Sequence, residues 1–200
     1  MRRSLLAAAS LTVAASPALA HHPMGGTLPE TLTQGLLSGI GHPIIGPDHL
    51  AFIVAAGILA GIIGRPILAP LGLIAGALLG AVIHLGAINI PGAEALVALS
   101  VVIAGMAVFF GRRAGAGVIV SAFAVAGISH GYAYAEAIIG AEQGIVAAYL
   151  AAFSLTQWAI AAGVGFAASL MLSAPAWPRA RKIVGSALTM VGVVFLAQAF

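Results

Sequence analysis

The stretch HPIIGPDHLAFIVAAGILAGIIGR, His42 to Arg65, decides how this chain is read. From Leu50 to Gly64 it is an unbroken apolar run that ends at an arginine. Just before that run stand two histidines, an aspartate and two prolines. A segment this apolar fits a bilayer, yet ionisable side chains inside a bilayer are costly and normally face a bundle interior or a water-filled path. The stretch therefore raises two questions: how the chain crosses lipid, and why it carries imidazoles and a carboxylate as it does so.

The rest of the sequence answers the first. Of 200 residues, 62% are hydrophobic and only 6% charged, against about 25% charged in soluble domains. The mean hydropathy is +1.13. Lipid offers no partners to backbone N–H and C=O groups, so a spanning chain must be helical or a closed barrel. The apolar runs do not alternate with polar residues, which selects helices. The expected fold class is an all-α integral membrane protein, a six-helix transmembrane bundle following a cleaved signal peptide. The sequence pI near 10.0 does not point to nucleic acid, because the basic residues are scattered over loops and the N-terminus with no basic face. Without cysteine, disulfides and thiolate metal sites are excluded.

Residues 1–20, MRRSLLAAASLTVAASPALA, place Arg2 and Arg3 before a short apolar stretch and end in Ala18-Leu19-Ala20. This is the charged, apolar, A-x-A order of a secretory signal peptide, with cleavage expected after Ala20. The domain reading is 1–20 signal peptide and 21–200 a six-span transmembrane domain. Six spans are expected at roughly 34–63, 66–87, 93–111, 115–139, 145–172 and 182–200. Arg65, Arg112, Arg113, Arg179, Arg181 and Lys182 then all fall on one side. The positive-inside rule makes that side cytoplasmic and puts both mature termini outside a bacterial cytoplasmic (inner) membrane.

The histidines lie toward the other side. Counted at ~1.5 Å per helical residue from the nearest arginine, His49, His84 and His130 each stand about 24–28 Å up. His42 and His49 are seven residues apart, which returns them to nearly one helical face. Pro43 and Pro47, with Gly41 and Gly46, predict a kinked or unwound entry over 41–47, with Asp48 and His49 in the first turn beyond it. Broken helices at membrane depth often line a site. Imidazole nitrogen with carboxylate oxygen suits borderline divalent cations such as Ni²⁺, Co²⁺, Zn²⁺ and Cu²⁺. A second cluster, GISHGYAYAEAIIGAE from Gly127 to Glu142, adds His130 and, a turn and a half on, Glu136. The candidate metal-binding set is His42, Asp48, His49, His130, Glu136, Glu94 and His84. Glu94 could equally complement a helix dipole, and His84 could equally be structural. Tyr132, Tyr134 and Trp158 read as interfacial or packing residues, and Gly127 with Gly131 as a close-approach pair. Met24 and a free amine beside His21 and His22 would form a loose chelator if cleavage follows Ala20.

With these motifs in view, the sequence resembles the HupE/UreJ family of nickel/cobalt permeases. HPIIGPDH, His42 to His49, fits the pattern H-P-x-x-G-x-D-H at every fixed position, and HGYAYAE, His130 to Glu136, resembles a second motif of histidine, glycine and glutamate. Here the chain carries Tyr134 and Ala135 where some members carry His and Gly. The resemblance spans nearly the whole chain. It implies a secondary permease with Ni²⁺ or Co²⁺ as transported substrate and no other cofactor, supplying metalloenzyme maturation. The alternative is a membrane metal-binding, metallochaperone or assembly protein that hands metal on without moving it across. No enzyme is expected: there is no phosphate-binding G-x-x-x-x-G-K-[ST] loop and no H-E-x-x-H. The expected partners are the divalent ion, the lipid bilayer and maturation proteins; self-association into a homo-oligomer stays open.

Overall fold

The computed structural model describes residues 27–111 and 114–200. The expected signal peptide, His21, His22, Arg112 and Arg113 lie outside the described residues. Among the described residues all regular structure is helical: α1 (Leu32–Ile45), α2 (Pro47–Ile62), α3 (Pro70–Leu85), α4 (Ala93–Phe110), α5 (Ala116–Ala135), a 3₁₀ turn at Glu136–Ile138, α6 (Gln143–Met171) and α7 (Trp177–Gln198).

The opening stretch forms two helices rather than one. Pro47 has no N–H to donate and disfavours helical backbone at the residue before it. Gly46 accordingly adopts φ −76°, ψ 107°, and α1 and α2 meet at 76°. The break is narrower than the sequence suggests. Residues 41–45 stay helical despite Pro43, and only Gly46 leaves the helix. Upstream, Thr31 opens α1 with a capping box: its hydroxyl accepts from Gln34 N at 3.2 Å, and the Gln34 side chain accepts from Thr31 N, also at 3.2 Å.

Four helices, α4, α5 with its 3₁₀ turn, α6 and α7, are long and apolar enough to cross a membrane, and the bent pair α1–α2 makes five if counted as one span. The 16 residues of α3 are apolar but shorter. The molecule is thus a multi-pass, all-helical membrane protein. The last helix starts at Trp177, not at 182, so Arg179, Arg181 and Lys182 belong to its first turns.

Lipid supplies no hydrophobic drive between helices, so they associate where small residues let backbones touch. Three pairings follow this rule. On α3, Gly72, Gly76 and Gly80 lie against the Val120, Ala124 and Ile128 carbonyls of α5, while Gly127 and Gly131 of α5 lie against Leu73 and Ala77 of α3. Gly105 of α4 meets Thr189 of α7, and Gly185 and Gly192 of α7 meet Phe109 and Val102. Gly35 and Gly39 of α1, then Gly57 and Gly61 of α2, run along α6 at Ile145, Tyr149, Ala161 and Gly165. Buried nearly all round, α2 also packs on α4 and α7. It is the centre of the bundle.

Arg181 at the start of α7 donates to the Val108 and Phe109 carbonyls at the end of α4. A cation there complements the C-terminal dipole. Near the same end, a cleft of about 340 Å³ is lined by Ile62, Ile63, Gly64, Ala114, Ala116 and Leu172. The end of α2, the start of α5 and the end of α6 therefore gather where the basic residues lie.

Substitution of Gly131 tests the helix contacts. A Cβ on Gly131 would lie 1.8 Å from the Ala77 carbonyl oxygen, whereas one on Gly163 in α6 meets nothing within 4 Å. Gly131→Ala is expected to lower stability by about 1–3 kcal/mol through overpacking. Gly163→Ala should be neutral or raise it by up to ~1 kcal/mol. Thermal unfolding in detergent compares the two, and equal Tm values would contradict the packing described.

Candidate functional site

The break at Gly46 brings the two histidines of the first motif together from different helices. His42 sits in the last turn of α1 and His49 in the first turn of α2, with ring centroids 5.8 Å apart. Asp48 precedes His49, and its Oδ1 accepts from the His49 backbone N–H at 2.8 Å. A carboxylate in a first helical turn also faces the positive end of the dipole. Then α5 adds His130, whose Nδ1 lies 2.9 Å from His49 Nδ1. All three histidines are at most 1% exposed, and Asp48 is 5% exposed. Tyr134, one turn beyond His130, is fully buried with its ring against both His42 and His49, at 4.8 Å and 4.3 Å. Phe52 covers the His130 ring at 4.4 Å.

Counting protons assigns the imidazole tautomers. Ser100 Oγ donates to the Val97 carbonyl at 2.7 Å, so toward His130 Nε2, 2.9 Å away, it can only accept. His130 therefore carries its proton on Nε2 and, as a neutral ring, a lone pair on Nδ1. His49 must then donate from Nδ1 and hold its lone pair on Nε2. The same logic fixes His42. Tyr149 OH donates to the Tyr134 carbonyl at 2.9 Å, so it accepts from His42 Nδ1 at 2.6 Å, and the lone pair of His42 is on Nε2. These assignments follow from the network of neutral rings rather than from hydrogen positions. They give the two motif histidines the same tautomer. Each is held by an Nδ1–H hydrogen bond, the arrangement that orients a metal-binding imidazole.

The other candidates lie elsewhere. Glu94 is exposed in the first turn of α4, and Glu136 is exposed where α5 gives way to the 3₁₀ turn. His84 is half-buried at the end of α3, stacked on Tyr132 at 3.9 Å with Nδ1 donating to the Tyr132 carbonyl at 2.6 Å. The structure gathers His42, Asp48, His49 and His130, and leaves Glu94, Glu136 and His84 outside this cluster. Among the described residues no group of three or more His, Asp or Glu side chains is arranged to hold a metal ion together. In the network the facing nitrogens of His49 and His130 are hydrogen-bonded to each other.

Trp158 ties α6 to the loop after α2, its indole N–H donating to the Ile67 carbonyl at 3.1 Å. Tyr134 is a packing residue in the sense expected, but its packing partners are the site itself. Sequence reasoning passed over Tyr149, Ser100 and Gln157. A signal existed for two of them: on α6 the residues Tyr149, Phe153 and Gln157 recur every fourth position, a stripe that also bears Ala161. Gly127-Ile128-Ser129-His130-Gly131 spells the G-x-S-x-G of a hydrolase nucleophile elbow. It lies in the middle of α5, not in a strand–turn–helix, and Ser129 Oγ donates back to the Ala126 carbonyl at 2.9 Å. It is no nucleophile elbow.

The tautomers can be tested by solid-state ¹⁵N NMR of histidine-labelled protein. His42 and His49 should show protonated Nδ1 and bare Nε2, and His130 the reverse. Ser100→Ala should release His130 from its tautomer. An Nε2-protonated His49 in the unsubstituted protein would break the scheme.

Comparison with known proteins fits this geometry. No curated protein and no solved structure matches the chain. The model of one family, described as HupE / UreJ protein, matches residues 9–195 and so nearly the whole length. That match takes in the broken first span and every residue of the buried histidine cluster, and the chain belongs to the HupE/UreJ family.

Proposed function

We propose that the protein is a secondary permease that takes up a divalent transition cation, Ni²⁺ or Co²⁺, across the cytoplasmic membrane. One observation carries the reading: three imidazoles and a carboxylate from three helices meet in the buried interior, at a helix break, in a chain of this family. Buried ionisable groups within a membrane are expensive to keep, and a packed bundle alone has no need of four in one place.

The tautomers suggest the division of labour. His42 and His49 would take the cation through Nε2, because their Nδ1 protons are already engaged. His130 and Tyr149 would hold those rings in place. Asp48 supplies the negative charge that offsets the cation's loss of hydration. In this reading six spans require α3 to count as one despite its length, and Arg65, Arg179, Arg181 and Lys182 mark the cytoplasmic end. Both mature termini then lie outside. The mature N-terminus with His21 and His22 would add a loose external chelator, and Glu94 and Glu136, exposed at the opposite end from the arginines, would attract cations.

Uptake of radioactive nickel into sealed proteoliposomes, competed with Co²⁺, Zn²⁺ and Cu²⁺, is the direct test. Binding without accumulation would instead support a metal-handing accessory protein. Asp48→Asn and His49→Ala should insert at normal abundance yet lose most uptake, since each removes charge or a nitrogen ligand. Tyr149→Phe removes the support of His42, together with the hydrogen bond to the Tyr134 carbonyl, and should cost about 10-fold in uptake or affinity. Normal uptake by Asp48→Asn would defeat the role given to this carboxylate. A C-terminal reporter active only in the cytoplasm would overturn the orientation.

A further inference from the structure

The buried stripe of α6 holds a polar residue that the histidine cluster does not use. Tyr149, Phe153, Gln157 and Ala161 follow one another every four residues, each with 0% exposure. Neither the amide nitrogen nor the amide oxygen of Gln157 has a hydrogen-bond partner. Leaving both ends of a buried amide unsatisfied costs stability, and apolar side chains of similar size are available to fill such a position. Two further buried hydroxyls nearby share this condition. Ser154 Oγ, three residues earlier on α6, has no partner, and neither does the Tyr134 hydroxyl. The Tyr134 ring packs on Phe153 at 5.1 Å.

The helix register places Gln157 in depth. Contacts along α2 set Gly57 against Ala161 and Gly61 against Gly165. Both helices run the same way, so His49 falls level with Phe153, and Gln157 falls level with Ile53. Gln157 is therefore one helical turn, ~6 Å, beyond the histidines. Its offset is toward the end where Arg65, Arg179 and Arg181 lie. On the outer side of this level α6 is lined by the glycines of α1, and on the inner side by those of α2. Gln157 lies between the two contact zones of α6, Ile145–Tyr149 against α1 and Ala161–Gly165 against α2.

We propose that Gln157 forms a second, oxygen-donor station for the divalent cation, separate from the imidazole site and one turn closer to the arginine-bearing end. The inference rests on the permease reading. A cation leaving two imidazoles in a dry interior needs a weaker ligand within a few ångströms, and conduction requires sites that bind weakly enough to release. The amide carbonyl of Gln157 offers an oxygen without a charge. Ser154, whose hydroxyl is likewise unpartnered, lies between it and the histidine level.

The test compares Gln157→Leu and Gln157→Glu with the unsubstituted full chain, using Ni²⁺ as the probe. Three quantities are read: Tm in detergent, nickel bound per chain, and nickel accumulation in proteoliposomes. Gln157→Leu removes an unsatisfied buried amide, so its Tm should rise. With nickel limiting, its bound nickel, held by the tighter imidazole site, should be unchanged, while accumulation falls by about 10-fold or more. Gln157→Glu keeps an oxygen donor and should retain accumulation. A rise in Tm with a fall in transport is a pairing that a structural role cannot produce. Unchanged accumulation by Gln157→Leu overturns the second station, as does a loss of bound nickel, which would merge Gln157 with the histidine site. A lowered Tm in that variant would reassign Gln157 to structure. Absence of accumulation by the unsubstituted chain would instead overturn the permease reading beneath.

Discussion

The missing amide proton of Pro47 is the constraint on which the rest of the structure depends. A continuous helix through residues 32–62 would run its polar residues along one rod, with His42 and His49 about 10 Å apart along the axis. The proline ends α1 at Gly46 and restarts the chain at 76°. That turn brings the two imidazoles within contact of the same tyrosine ring. It also puts Asp48 in a first turn, where backbone amides and the dipole hold its charge. Irregular backbone of this kind is tolerated at membrane depth only when protein surrounds it. Here α5 and α6 provide the enclosure, with Tyr134, Phe153 and Tyr149 as its walls.

That enclosure depends in turn on glycine. The α3–α5 contact is so close that a methyl group on Gly76 would meet the Ala124 carbonyl oxygen at 1.9 Å. Such an approach fixes the rotation of α5, and the rotation of α5 decides which of its residues face α2. His130 and Tyr134 point inward, while Tyr132 faces the other way and pairs with His84. Along α6 the same device sets a register against two half-helices in succession. Packing and chemistry are thus coupled through backbone contact rather than through apolar side-chain burial, as expected where lipid is as apolar as the core.

Each histidine ring of the cluster has a defined orientation. Ser100 and Tyr149 each have their hydroxyl proton drawn to a backbone carbonyl, so each can only accept from an imidazole. Two hydroxyls on α4 and α6, far from the motif in sequence, therefore choose which nitrogen of His49 and His42 is basic.

The sequence by itself determined the solvent, the helical class, the family resemblance and the members of the buried histidine cluster. Composition excludes water as the surrounding medium. Pro47 announces the break, and the spacing of His42, Asp48 and His49 beside it announces a site, because both signals are local in the chain. It also placed Gly127 and Gly131 at a close contact. What only the tertiary structure decided is nonlocal. His84 shares a depth with the motif but not a face, Glu94 and Glu136 lie at the outer ends of their helices, and depth is all that counting along helices can give. Tyr149, Ser100 and Gln157 enter through the rotation of α4 and α6 about their own axes. On α4 nothing in the nearly uniform apolar sequence records that rotation, and on α6 the every-fourth-residue recurrence of Tyr149, Phe153 and Gln157 marks a face without saying what it meets. The rotation is fixed only when glycines on neighbouring helices lock together.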